Sequence, residues 1–161
     1  NTMWLLCEVI ESFNTKSMRG RGLPLGNLTS QLFVNVYMNE FDQFVKRELK
    51  IKHYIRYADD FVILSENKRY LEDILFKIAD FLKTNLQLSL NPDKVSIKTL
   101  ASGVDFLGWV NFIYHRILRT KTKNRMLERI KKNPGPETFN SYLGLLKHGN
   151  SYKIRSKIWG T

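Results

Sequence analysis

The stretch Arg56-Tyr57-Ala58-Asp59-Asp60-Phe61-Val62-Ile63-Leu64 decides how this sequence is read. Tyr54, Ile55 and Tyr57 precede two adjacent aspartates, and an unbroken apolar run, 61–64, follows them. Short β-prone runs on either side of a polar pair predict two strands, with Asp59-Asp60 as their turn. Adjacent carboxylates repel one another, and holding them together is costly without a cation. A divalent metal is one such cation. Mg2+ takes one or two carboxylates plus substrate phosphates, and two-metal phosphoryl transfer needs carboxylates close together on rigid strands. Taken alone, an Asp-Asp pair is more often a plain solvated turn.

The flanking sequence adds context. Gly22-Leu23-Pro24-Leu25-Gly26-Asn27-Leu28-Thr29-Ser30-Gln31 sets a glycine-bearing loop at the start of a helix predicted from about 27 to 49. A helix N-terminus presents unpaired N–H groups that suit phosphate or nucleotide, and Gly26 lets backbone approach a ligand closely. Asn27 is the natural N-cap, with Thr29 and Ser30 as rivals, so simple capping is the alternative reading. Leu28, Leu32 and Val36 form one apolar stripe, and Phe33, Tyr37, Phe41 and Val45 an adjoining one; a face this broad is expected to pack on a sheet. Residues 1–13 show a short helical pattern, and 14–26 read as a loop.

Further on, Leu71, Ile74, Leu75, Ile78, Phe81 and Leu82 have the spacing of an amphipathic helix. Leu86, Leu88 and Leu90 alternate with polar residues as in a strand, Asn91-Pro92 marks a turn, and 95–97 can resume extended structure. Residues 106–118 predict a hairpin broken at His115-Arg116. From Lys121 the chain turns helical and basic; Asn133-Pro134-Gly135-Pro136 interrupts it, Glu137 and Thr138 open another helix, and Gly149 ends that one.

Composition narrows the function classes. The chain has 161 residues, 43% of them hydrophobic and 25% charged, enough to bury a core. No apolar run is long enough for a membrane span or a signal-peptide core, so no membrane partner and a cytoplasmic location are expected. A single cysteine, Cys7, excludes an internal disulfide and a thiol zinc cluster. The net charge is +11 and strongly uneven: residues 1–113 hold 14 basic and 13 acidic side chains, residues 114–161 hold 12 and 2. A near-neutral body with a basic C-terminal arm suggests a polyanionic partner, against the alternative of a solubilising surface. His53, His115 and His148 have no ligand spacing.

The loop-and-helix segment 22–31, followed about 25 residues later by the segment 56–64, resembles the palm of a reverse transcriptase. Leu86-Gln-Leu-Ser-Leu-Asn-Pro-Asp-Lys94 resembles the next palm strand with its lysine, and Phe106-Leu107-Gly108-Trp109 resembles the primer-grip hairpin. The basic region from about Arg119 resembles the thumb. The resemblance implies an α+β fold: a partial palm over 1–118, with an antiparallel sheet packed on helices and a primer-grip β-hairpin, then the start of a small helical thumb over 119–161. At 25–31, where group II intron and retroviral-type enzymes usually carry Gln-Gly-x-x-x-Ser-Pro, this chain has Leu-Gly-Asn-Leu-Thr-Ser-Gln. That is similar to the reverse transcriptases of diversity-generating retroelements, which copy RNA with frequent errors at adenines and act with a small basic accessory protein.

What the resemblance implies can be stated residue by residue. Asp59 would be the main carboxylate for two Mg2+ ions and Asp60 an auxiliary one; Lys94 would protonate departing pyrophosphate, its alternative being a solvated turn lysine. Leu25, Gly26, Asn27, Gln31 and Tyr57 would lie near the incoming nucleotide and template. Phe106, Leu107, Gly108 and Trp109 would grip the primer; the alternative is a core hairpin, a role expected of Leu107 in any case. Arg119, Lys121, Lys123, Arg125, Arg129, Lys131 and Lys132 would track the backbone of an RNA template–DNA primer duplex, with dNTP as substrate. The family also needs an upstream aspartate, and none precedes Asp42, which falls inside the predicted helix. The sequence is therefore expected to be a C-terminal fragment, inactive alone. The rivals are a group II intron-like, retron or phage-defence reverse transcriptase, and a non-catalytic nucleic-acid-binding palm/thumb module.

Overall fold

The computed structural model describes residues 2–11 and 28–159. The chain divides into two units, Asn1–Val95 and Ser96–Thr161. The expected primer-grip segment, 106–109, thus falls in the same unit as the basic helices.

In the first unit, helices α1 (Thr2–Glu11) and α2 (Leu28–Tyr37) precede a short α3 (Asn39–Gln43) and a π-helical turn over Phe44–Glu48. The single long helix expected here is thus broken at Met38. Hydrogen bonding still crosses the break, from the Met38 N–H to the Val34 carbonyl (2.8 Å) and from the Asp42 N–H to the Met38 carbonyl (3.0 Å). Only one of its apolar faces is buried: Met38, Phe41 and Val45 enter the core with Val34 against them. The Leu32–Val36 stripe is exposed, Val36 by 66%, so the expected packing of both stripes on a sheet is corrected.

Strands β1 (His53–Tyr57) and β2 (Asp60–Leu64) pair antiparallel in the register Tyr54↔Ile63, Arg56↔Phe61 and Tyr57↔Asp60. Alternation sends Tyr54, Phe61 and Ile63 inward against the core. Helix α4 (Lys68–Leu86) closes the unit, with Ile74, Ile78, Leu82 and Leu86 buried along one face as the spacing predicted. Asn67 caps it by accepting from the Tyr70 N–H at 3.1 Å. Phe41 is the hub: its ring lies 5.0 Å from Phe61, 6.1 Å from Tyr54 and 6.3 Å from Phe81, centroid to centroid.

The strand expected at Leu86, Leu88 and Leu90 does not form, nor does one at 95–97. Leu86 is the last core residue of α4, one turn after Leu82. Gln87 is left-handed, and its N–H and that of Leu88 both close on the Leu82 carbonyl. The alternation was the tail of a helical stripe read with the wrong period. The turn at Asn91-Pro92 is present, with the Lys94 N–H donating to the Asn91 carbonyl at 3.0 Å.

One polar network ties the hairpin to α3. Arg56 donates from Nε to Asp42 Oδ1 (2.9 Å) and from Nη2 to Oδ2 (2.5 Å), and the Tyr54 hydroxyl donates to Oδ1 (2.7 Å). The side chains of Arg56 and Asp42 are only 9% and 21% exposed, so solvent screens the pair weakly. The Arg56 hydrogen bonds hold the Asp42 carboxyl below the usual range, opposed by burial and helped by Tyr54. Burial first, and then Asp42, push the Tyr54 hydroxyl up.

In the second unit, β3 (Val104–Phe106), β4 (Trp109–Asn111) and β5 (Arg116–Leu118) form an antiparallel sheet in that order. The expected hairpin is therefore a three-stranded meander. Helices α5 (Thr120–Lys132), α6 (Pro136–Leu146) and α7 (Tyr152–Trp159) follow. Pro136 opens α6, where its missing N–H costs nothing. Trp109, Leu118, Met126, Ile130 and Leu146 make the core. Among the described residues no helix is long and apolar enough to cross a membrane.

Two outcomes follow. Phe41→Ala is expected to cost about 3–5 kcal/mol in chemical denaturation, the range for a buried aromatic. Asp42→Asn is expected to cost roughly 1.5–3 kcal/mol near pH 7, the range for hydrogen bonds to a charged group. Because the folded carboxyl titrates below its unfolded value of about 3.9, its contribution is complete above that pH and fades as pH falls through the lower folded value. Denaturation curves of wild type and Asp42→Asn should therefore draw together as the pH is lowered below that unfolded value.

Candidate active site

The hairpin turn differs by one residue from the sequence expectation. Ala58 and Asp59 form the turn, while Asp60 is already the first residue of β2, opposite Tyr57. Ala58 takes φ +52°, a left-handed conformation that two-residue hairpins usually reserve for Gly or Asn. Arg56 supports it by donating from Nη1 to the Ala58 carbonyl at 2.8 Å, and Nη1 also reaches Asn35 Oδ1 on α2 at 3.1 Å. The inward parity of Tyr54 and Arg56 leaves Ile55 and Tyr57 on the outer face, both exposed. Asp59 and Asp60 are exposed as well.

This arrangement holds two hard oxygen donors in water on a two-stranded support. Such donors suit Mg2+, which retains waters and binds through one or two carboxylates plus phosphate. Asp42 is engaged elsewhere: its Oδ1 accepts from Arg56 and Tyr54, and its Oδ2 accepts from Arg56. Among the described residues no group of three or more His, Cys, Asp or Glu side chains is placed to hold a metal ion by itself. The Arg56–Asp42 clamp was missed by sequence reasoning. The signal was available: Arg56 shares strand parity with Tyr54, and a cation on a core-facing position requires a partner.

Of the other expected site residues, Leu25, Gly26 and Asn27 lie outside the described residues. Gln31 is exposed on α2, and Lys94 is exposed in the turn after Asn91. In the second unit, Leu107 and Gly108 form the turn between β3 and β4, with φ +53° and +81°, the both-positive pattern of a type I′ turn. Leu107 is 47% exposed at its tip, so it is not the core residue expected. Trp109 is buried, and Arg116 lies over its ring at 5.2 Å.

Helix α5 sorts its cations. Met126 and Ile130 are buried, while Lys121, Arg125, Arg129 and Lys132 share one exposed stripe on the opposite side. Lys123 falls toward the packed side and is half-buried, and Lys131 flanks the stripe. Arg119 precedes the helix and pairs with Asp105 at 3.1 Å, half-exposed, a bridge of little energetic weight.

Residues 2–111 match the sequence profile of the family described as Reverse transcriptase (RNA-dependent DNA polymerase). The chain is 32% identical over 112 residues to the Putative COX1/OXI3 intron 2 protein of Saccharomyces cerevisiae, an alignment covering 60% of this chain and 13% of that protein. It is 28% identical over 134 residues to Protein YkfC of Escherichia coli, covering 63% of this chain and 34% of that one. The chain thus spans about a third or less of these relatives' lengths. A profile match running from the first helix through the carboxylate hairpin to β4 shows that this chain belongs to the reverse transcriptase family.

Proposed function

We propose that this chain supplies the carboxylate hairpin and a duplex-binding arm of an RNA-directed DNA polymerase. The parent enzyme extends a primer 3′ end with dNTPs on an RNA template in the cytoplasm. The observation that carries this reading is the exposed Asp59-Asp60 pair on a clamped hairpin, within a chain of the reverse transcriptase family. Asp59 and Asp60 are the residues that would hold Mg2+, which when bound supplies positive charge to the attacking and leaving oxygens. Tyr57, next to Asp60 across the strand pair, would line the nucleotide end of the site, with Leu25, Gly26, Asn27 and Gln31. Lys94 would give a proton to the leaving group.

Phe106, Leu107, Gly108 and Trp109 would hold the primer terminus, as a type I′ tip carrying one exposed leucine. The α5 stripe, with Arg119, Lys123 and Lys131 at its margins, would follow the phosphate backbone. In palm and thumb language, residues 1–118 would belong to the palm and 119–161 would begin the thumb. The retroelement type rests on Leu25 and Gln31: an apolar residue and a glutamine at those positions would loosen base positioning, where discrimination depends on small free-energy differences. A small basic accessory protein would be its partner. The similarity to a yeast protein named for an intron favours the second reading, an intron-type enzyme.

Since Asp42 is committed to Arg56, the two hairpin carboxylates need another from elsewhere in the parent enzyme. The 161-residue chain is expected to give no primer extension with Mg2+ and an RNA template; clear extension sinks that expectation. In the parent enzyme, Asp59→Asn should lower extension at least about a hundredfold. Sequencing the product separates the subfamilies: errors concentrated opposite template adenines support the retroelement type, and evenly spread errors support the intron type. For the isolated chain bound to duplex, replacing Arg125 and Arg129 by Gln should reduce the slope of log affinity against log salt by about 2.

A further inference from the structure

We infer that Arg56 is a positioning residue for the Asp59 carboxylate, held in place by Asp42 and acting through the Ala58 carbonyl. The inference rests on the polymerase reading for its catalytic consequence, but its structural part stands on the hairpin alone.

The turn has an internal conflict. Ala58 sits at φ +52°, where a Cβ is unfavourable, and no glycine or asparagine relieves it. Asp59 is exposed, so burial does not fix its backbone either. What spans the turn is the guanidinium. Arg56 uses one edge, Nε and Nη2, for both oxygens of Asp42, and turns Nη1 to the Ala58 carbonyl and Asn35. One planar group thus joins α2, α3 and the turn. Its planarity matters: a fork fixed at Asp42 has only one direction left for Nη1. A lysine carries a point charge and cannot satisfy both edges. Catalytic carboxylates must be held within a fraction of an ångström of their working position, so slack in this turn would reach the metal site directly.

The test uses Arg56→Lys and, as a milder change that keeps Arg56, Asp42→Asn. In the 161-residue chain, NMR follows the Ala58 φ-dependent coupling and the Asp60 amide exchange rate. Arg56→Lys should move the coupling away from the left-handed value and speed Asp60 exchange about tenfold or more, while amides at Ile74 and Ile78 in the core hold. Asp42→Asn should give a smaller shift in the same direction. In the parent enzyme, Arg56→Lys should lower kcat roughly ten- to a hundredfold with KM for dNTP within about twofold, and raise the Mg2+ concentration for half-maximal rate. An unchanged Ala58 and Asp60 in both variants overturns the clamp. A shifted turn with wild-type kcat and Mg2+ dependence overturns the positioning role. If Arg56→Lys unfolds the chain, Asp42→Asn decides on the same readouts. A wild-type parent enzyme no more active than Asp59→Asn overturns the polymerase reading, and the NMR result still decides the clamp.

Discussion

The bidentate contact between Arg56 and Asp42 is the interaction on which the first unit's surface chemistry depends. The hairpin has only two strands, and two strands alone are marginal in water. Its inner face finds support from Phe41 and its aromatic neighbours. That packing is non-directional and stops short of the turn. The guanidinium extends it, converting a helix carboxylate and a turn carbonyl into fixed points. Removing either partner leaves a charge in a half-dry setting, which is why such pairs are costly to break even when they add little as a whole.

The two units divide the electrostatic labour. The first carries the exposed carboxylates and is close to neutral; the second carries a cationic stripe on α5 opposite Met126 and Ile130. Burial of that apolar side fixes the rotation of the helix and so decides which cations reach water. Lys123 shows the other outcome: the same residue type, three positions before Met126, falls partly under the packed side. A count of basic residues overstates the usable charge, and the helical phase corrects it.

Much of this was legible from residue order. The spacing of Leu71 to Leu82 gave α4, Glu137 and Thr138 marked the start of α6 to within one residue, and Asn91-Pro92 marked a turn. Residues 86–90 misled because Leu86 belongs to a helical stripe while Leu88 and Leu90 extend it by accident at a period of two. Met38 gave no warning of a break, as neither Gly nor Pro stands there. Leu107 has the hydrophobicity of a core residue, but turn chemistry decides its place: Leu-Gly between paired strands puts the leucine at the tip. The clamp joins residues 14 positions apart, beyond the reach of local pattern. Each member also looks like an ordinary surface charge until the strand parity of Arg56 is set beside that of Tyr54.

That parity has a wider meaning for how such a surface can change over time. Along each strand of the hairpin, alternate positions have opposite fates: Arg56 and its partner Phe61 face the interior, Tyr57 and its partner Asp60 the solvent. A one-residue slip of β2 against β1 would exchange the two sets on β2, driving the Asp60 carboxylate toward the aromatic core and Phe61 into water. Side chains on the outer face can be replaced one at a time, but the register cannot be shifted for one residue alone. The register is therefore a property of the whole hairpin, shared by all its residues and changed only for an entire strand at once.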